Sequence, residues 1–295
     1  MVLELSGRSA CVAIVSAATS LASTAYAGVI TPGLFAEAEA IEWLVAGPSA
    51  MDDAVAAGPF GPLDVAVEAS FPGGKSTTTT RTVVDYGLLK VITDSVGIFQ
   101  GSPGQLRNAQ GLAHASFRED SVVVQAAGFG PGQFGSFTAR FEIQHFVNFL
   151  INVLSNNGGR VDISGGFQLE VIIGDATPGP YGGTPWTAST VNPPTAPSIP
   201  SGIIEVPVNF EYGVPFTIAA DIEANLFTSV FGDIQADIDA SMSLCSGFIW
   251  RGIDTTGLPE DVTVSSEHVE DWILPGSPTI ALLPIAFLAS RRRRA

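Results

Sequence analysis

The sequence predicts an all-β protein, an antiparallel β-sandwich of the jelly-roll kind. Three observations carry that reading. Apolar and polar residues alternate with period two in segment after segment, as in sheets with one dry and one wet face. Short Gly, Pro and Asp clusters separate those segments, as turns between strands do. No strand-helix alternation of the kind a parallel α/β sheet requires is present.

Along the chain, Ala36 to Val45 reads as one short helix, and the strands begin after it. Leu63 to Ala69 alternates apolar with acidic or small residues, and Ser76 to Val84 is a threonine run closed by two valines. Threonine is stiff at χ1 and suits an extended backbone. Tyr86 to Ile92 and Asp120 to Ala126 follow, then Ser136 to Ile143, where Phe137, Ala139, Phe141 and Ile143 share one face. That phase continues through Val147, Phe149, Ile151 and Val153 and is interrupted by His145, expected as a hydrogen-bonded core histidine. Phe146, Phe149, Leu150, Val153 and Leu154 also fit a helical period, and the β-rich neighbours favour strand. Phe167 to Ile173, Phe216 to Glu223 and Ile234 to Leu244 complete the alternating set.

One stretch has no apolar period. Gly174 to Gly202 carries seven prolines, which cannot donate to a ladder, and reads as a long loop serving as linker, insertion or binding loop. In the last role Tyr181 and Trp186 would be exposed aromatics able to stack on sugar rings. Gly130 to Gly135 spells a dinucleotide glycine fingerprint, but a strand follows where that motif needs a helix. It reads as a glycine-rich hairpin turn.

The two ends are expected to be targeting segments. Arg8, the apolar stretch Ala10 to Ala22 and the small residues Ala25 and Ala27 form a signal peptide cut before Gly28. At the other end Pro275 and Pro278 precede Thr279, Ile280, Ala281, Leu282, Leu283 and an apolar run, closed by Arg291, Arg292, Arg293 and Arg294. Terminal arginines resist translocation and stay on the cytoplasmic side. The expected organisation is a signal peptide over 1–27, a sandwich domain over 28–272 and a C-terminal sorting segment over 273–295. The domain then holds eight basic against 28 acidic residues. Such a field repels phosphate backbones, so nucleic acid is not an expected partner.

Catalytic motifs do not emerge. No Gly-x-Ser-x-Gly elbow anchors a hydrolase triad. Cys245, the domain's single cysteine, reads as a buried structural thiol, and the segment Ser265 to Trp272 around His268 reads as a solvated acidic spacer. Two acidic rows remain: Asp221 and Glu223 on the wet face of one strand, Asp237 and Asp239 on that of another. If those strands pair as a hairpin, the four carboxylates could converge on a structural calcium ion, which suits oxygen ligands. The alternative is an ordinary solvated face.

The C-terminal segment resembles the PEP-CTERM sorting signal of bacterial exported proteins, with Gly276-Ser277-Pro278 standing where that family carries Pro-Glu-Pro. The resemblance implies export, exosortase-type processing at the membrane and delivery to the cell surface or an extracellular polysaccharide matrix. Leu274 to Pro278 also resembles, more loosely, the Leu-Pro-x-Thr-Gly signal of sortase substrates. The expected function is a non-enzymatic structural or adhesive protein associated with exopolysaccharide. A lectin-like carbohydrate-binding module is the first alternative and a secreted glycan-active enzyme the second. Expected partners are the export machinery, a membrane processing enzyme and extracellular polysaccharide.

Overall fold

A computed structural model describes residues 32–44, 49–70, 76–100, 107–153, 160–178, 181–182, 186–189, 201–231, 237–269 and 272. The expected signal peptide with Ala25, Ala27 and Gly28, and the sorting residues from Pro275 to Arg294, lie outside the described residues. Among the described residues the chain forms fourteen strands and no helix. They are β1 (Gly33–Leu44), β2 (Ser49–Gly58), β3 (Leu63–Ser70), β4 (Ser76–Asp85), β5 (Leu88–Gln100), β6 (Arg107–Gln125) and β7 (Phe134–Val153). β8 (Arg160–Ile173), β9 (Tyr181–Gly182), β10 (Trp186–Ser189), β11 (Gly202–Glu211), β12 (Phe216–Phe231), β13 (Asp237–Asp254) and β14 (Thr263–Ser265) follow.

Two antiparallel sheets face each other as a β-sandwich. The first runs β10-β8-β12-β6-β1-β2, with β9 added to β8 and β14 to β6; the second runs β11-β7-β13-β5-β4-β3. From β5 onward the long strands alternate between the sheets. The order β5-β13-β7-β11 in one faces β6-β12-β8-β10 in the other. The hairpins β1-β2 and β3-β4 widen the two sheets beyond β6 and β5.

Several expectations change. Of the expected helix Ala36 to Val45, the described residues up to Leu44 are strand: β1 extends to Leu44 and pairs with both β2 and β6. Alanine and glutamate favour helix locally, but Leu34, Ala36, Ala38 and Ala40 are buried in alternation, and the sheet on either side overrides propensity. The Gly174 to Gly202 stretch is not ladder-free: β9 and β10 both pair with β8. The Gly130 to Gly135 turn is no hairpin, because β6 and β7 belong to opposite sheets. There Gly132, at φ 89°, occupies the left-handed region and donates its N–H to Glu211 Oε1 at 2.6 Å. The stretch from Ser136 to Val153 lies in one continuous strand, β7.

The interior is unequal along its length. Towards the end where β6 leaves, Phe117, Phe137, Phe141, Phe248, Trp250 and Trp272 fill it, each burial contributing about 2–3 kcal/mol. Towards the other end small residues take over: Ala38, Ala40, Ala109, Gly111 and Ala113 in the first sheet, Ser76, Thr78, Thr80, Thr93 and Ser95 in the second. The threonine run of β4 therefore points inward, and its hydroxyls find acceptors on β1. Thr80 Oγ1 donates to Glu39 O at 2.9 Å and Thr82 Oγ1 to Glu37 O at 2.7 Å. Ser76 and Thr78 both donate to the fully buried Glu42 carboxylate, at 2.5 and 3.1 Å.

The last described segment is not a solvated spacer. β14 pairs with β6, Trp272 N donates to Val264 O at 2.9 Å, and Trp250 Nε1 donates to Trp272 O at 3.2 Å. Trp272 is only 2% exposed and meets Trp250 edge-on at 5.5 Å. β1 also starts towards this end, with Gly33 opposite Arg118 of β6, so both ends of the described domain emerge at one pole. We call it the exit pole.

A Cβ on Gly111 would lie 2.1 Å from Thr93 Cγ2 and 2.8 Å from Thr80 Oγ1. Gly111→Ala is expected to lower stability in urea unfolding by about 1–3 kcal/mol through overpacking. Thr93→Ala in the same chain should return part of the loss. A Gly111→Ala cost within experimental error would refute this close sheet approach.

Candidate functional site

The outer face of the first sheet gathers carboxylates from strands far apart in sequence. Antiparallel register sets Glu37 of β1 and Glu223 of β12 directly beside His114 of β6, and Asp221 beside Glu170 of β8. Glu39 and Asp53 form the next cross-strand pair. Like charges across a ladder repel. The chain supplies its own counter-charge: His114 Nε2 donates to Asp221 Oδ2 at 2.7 Å, while Nδ1 lies 3.8 Å from Glu37 Oε2. Phe35 shields the ring at a centroid distance of 5.0 Å.

Burial opposes the charge on His114, yet the Asp221 hydrogen bond and the fields of Asp221, Glu223 and Glu37 together hold its pKa above the ordinary value. Desolvation raises Glu223, partly offset by His114 and reinforced by Asp221 and Glu37. Desolvation also raises Glu39, aided by Glu37 and Asp53. The cluster thus binds protons more readily than its isolated members.

The expected four-carboxylate convergence does not form through a hairpin. β12 pairs with β6 and β8 in the first sheet, whereas β13, which carries Asp237 and Asp239, pairs with β5 and β7 in the second. The side chains of Asp237 and Asp239 lie outside the described ones. Among the described residues no group of three or more His, Cys, Asp or Glu is arranged to hold a metal ion. Tyr181 aligns with Leu169 and Trp186 with Gly165 along β8, again without described side chains.

The second histidine site sits at the exit pole. Glu119, 3% exposed, accepts from His268 Nδ1 at 2.7 Å through Oε2, and from the Ser121 hydroxyl and amide at 2.6 and 3.1 Å through Oε1. Burial opposes ionisation, but these donors outweigh it and hold Glu119 below the usual carboxylate range. Tyr86 stacks on the His268 ring at 5.2 Å and Phe60 meets it edge-on at 5.9 Å. Desolvation, with the fields of Glu119, Glu267 and Asp85, pushes Tyr86 up to about 12. A buried carboxylate orienting an imidazole has the form of a general-base dyad. Here the Ser121 hydroxyl is spent on the carboxylate and aromatic rings flank the imidazole, so the pair fastens the 263–272 segment to β6.

His145 is the hydrogen-bonded core histidine expected. Its Nδ1 lies 2.7 Å from the buried Ser246 hydroxyl, its ring stacks on Phe167 at 4.7 Å, and desolvation lowers its pKa to about 4. Cys245 is half-buried on the outer face of the second sheet rather than in the core, and desolvation raises its thiol pKa, against nucleophilic use. A cleft of about 420 Å³ opens at the exit pole between Gln125, Phe129, Pro131, Gly213, Asp261 and Thr263. Asp261 Oδ2 accepts the Ala127 N–H there at 2.7 Å.

Sequence reasoning placed Asp221 and Glu223 on a wet face but missed Glu37, His114 and Glu119. Alternation through Phe35, Glu37, Glu39 and Ile41 was the available signal for Glu37. Nothing local marks the other two, because their partners come from other strands. Comparison with known proteins returns no match from protein-family models, curated sequences or solved structures.

The pKa directions fix a pH profile. The raised His114, Glu39 and Glu223 contribute stability that is full at acid pH and lost as pH rises through their folded-state values. The lowered Glu119 and Glu142 contribute stability present above the ordinary carboxylate value and lost as pH falls. His145, held neutral down to about 4, adds a loss that begins as soon as pH falls below the ordinary imidazole value. The melting temperature should therefore peak near neutrality, at about pH 6–7. His114→Gln should cost about 2 kcal/mol there and much less at alkaline pH. A variant with the wild-type alkaline slope would show that His114 is not the counter-charge.

Proposed function

We propose that this chain is an exported protein delivered by its C-terminal segment to the membrane and cell surface. There it acts without chemistry of its own, as a structural or adhesive component associated with exopolysaccharide. The observation that carries the reading is the handover at Trp272. This residue is locked into the aromatic core at the exit pole, and the segment resembling a PEP-CTERM signal follows at once. The domain is thereby held close to whatever that segment enters. His268 flanked by the Phe60 and Tyr86 rings, and His145 desolvated beside Phe167, are poorly placed for proton transfer, which supports a non-enzymatic role. The strand order β5-β13-β7-β11 facing β6-β12-β8-β10, with the chain alternating between sheets, supports the jelly-roll reading of the sandwich.

The lectin-like alternative draws on the cleft at the exit pole, where Phe129 stands beside Asp261 as a ring able to stack on a sugar. Saturable binding of neutral oligosaccharides, abolished by Phe129→Ala, would favour that alternative over a purely structural role.

Cell fractionation with intact-mass analysis tests the main reading. Wild-type protein should begin at Gly28, lie at the surface and end near Pro278. Replacing Arg291, Arg292, Arg293 and Arg294 by serine should move it to the medium untrimmed. Wild type that keeps Ala295 and fractionates like the variant would overturn the sorting role. A structural calcium ion belongs to the same proposal; of the expected ligands Asp221, Glu223, Asp237 and Asp239, the first two are the ones on a strand of the first sheet. Millimolar calcium should raise the melting temperature at alkaline pH, where His114 is neutral, and much less at mildly acidic pH where the imidazolium already fills that role. A melting temperature indifferent to calcium at both would remove the ion.

A further inference from the structure

Large apolar side chains stand exposed at the exit pole. Phe60 lies between β2 and β3 and is 76% exposed; Phe134 opens β7 and is 74% exposed. Phe129 in the β6–β7 turn and Val214 in the β11–β12 turn are exposed as well. Each sits on a connection or strand start at the end of the sandwich where Trp272 is fixed. Folding gives Phe60 and Phe134 little burial, so their rings are available to a partner at that end.

We propose that the exit pole docks on a zwitterionic lipid surface, with Phe60 and Phe134 entering the headgroup layer and Phe129 and Val214 beside them. The inference rests on the reading that the segment after Trp272 enters the membrane, and goes beyond it by assigning the domain a second, direct contact and an orientation. The chain outside the described residues supplies the physical reason. Ile273 to Ser290 is 18 residues, about 27 Å as a helix, against a hydrocarbon core of about 30 Å. A span that short has no slack, so in the untrimmed chain Trp272 is drawn to the membrane–water boundary. Trp272 is itself held by Val264 and Trp250, so the pole follows it. Aromatic side chains at that level gain from a site between water and acyl chains.

The charges choose the lipid. Glu260, Asp261 and Glu267 are exposed at the same pole. They repel an anionic surface, so phosphatidylcholine or phosphatidylethanolamine headgroups fit and phosphatidylglycerol-rich ones do not. β1, β3, β5, β7 and β12 all end towards the opposite pole. Docking would turn that pole outward, and it would close the cleft at Phe129 to large glycans.

Tryptophan reporters in the full chain test this. Phe60→Trp, Phe134→Trp and, as a control on the second sheet's outer face, Val96→Trp are all at exposed positions and should fold. Each is reconstituted into phosphatidylcholine vesicles with or without bromine on the acyl chains, and flotation is read alongside fluorescence. The added emission of Phe60→Trp and Phe134→Trp should shift to the blue and be quenched by brominated lipid, that of Val96→Trp should not, and phosphatidylglycerol should weaken the quenching. If the vesicles carry the protein but all three reporters quench alike, the docking is wrong while membrane entry of the C-terminal segment stands. If the protein does not float with the vesicles, both fail. If the two pole reporters are already blue-shifted without vesicles, the C-terminal segment itself covers them and the lipid contact is overturned.

Discussion

The hydroxyl row of β4 lying against β1 is the constraint on which the other features depend. Threonines at 78, 80 and 82 are buried, and a buried hydroxyl without a partner is costly. Their acceptors are the Glu37 and Glu39 carbonyls and the Glu42 carboxylate, all on a strand of the opposite sheet. A carbonyl has two lone pairs, so it can serve the ladder and still accept a hydroxyl from across the interior. Such bonds demand a close approach of the sheets, which is why alanines line β1 and Gly111 faces Thr93. They also fix the register of β1, and hence place Glu37 beside His114 on the outer face. A disulfide-free domain thus gains directional cross-links between its layers.

The aromatic end answers a different need. Phe117, Phe141, Phe248 and Trp250 fill the space that the small residues leave thin elsewhere, and Trp272 closes that end from the C-terminal side. The His268–Glu119 pair and the Tyr86 ring fasten the same segment from outside. Pull on the C-terminal segment would therefore be borne by the core and by β6, a central strand, rather than by a loose linker.

Charge is distributed as unevenly as side-chain volume. On the second sheet's outer face basic residues are paired: Arg81 with Asp64, Arg140 with Glu205 and Asp254, Arg251 with Glu142. Such half-exposed pairs each contribute little stability. On the first sheet's outer face, carboxylates cluster around one imidazole, and their raised pKa values record the repulsion that remains. Carboxylates outnumber basic groups on both faces; the second face meets each of these arginines with a carboxylate, whereas on the first several carboxylates share one imidazole.

The sequence by itself determined the all-β class and most strand centres, because burial on one face of a pleated strand imposes a period of two that needs no partner to be seen. Phe137 to Ile143 and Phe167 to Ile173 were legible for that reason. It also marked Asp221 and Glu223 as outward-facing. The tertiary structure alone decided the rest. β1 was obscured because alanine and glutamate carry helix propensity, and only flanking strands on both sides make the extended form win. The assignment of β12 and β13 to opposite sheets separated two acidic rows that lie next to each other along the chain. His114 and Glu119 gained their roles from residues more than a hundred positions away, Asp221 and His268, and no local pattern encodes a contact that chain crossing creates. The inward turn of the threonine run belongs to the same class, since a hydroxyl is read as polar until the fold shows which carbonyl it meets.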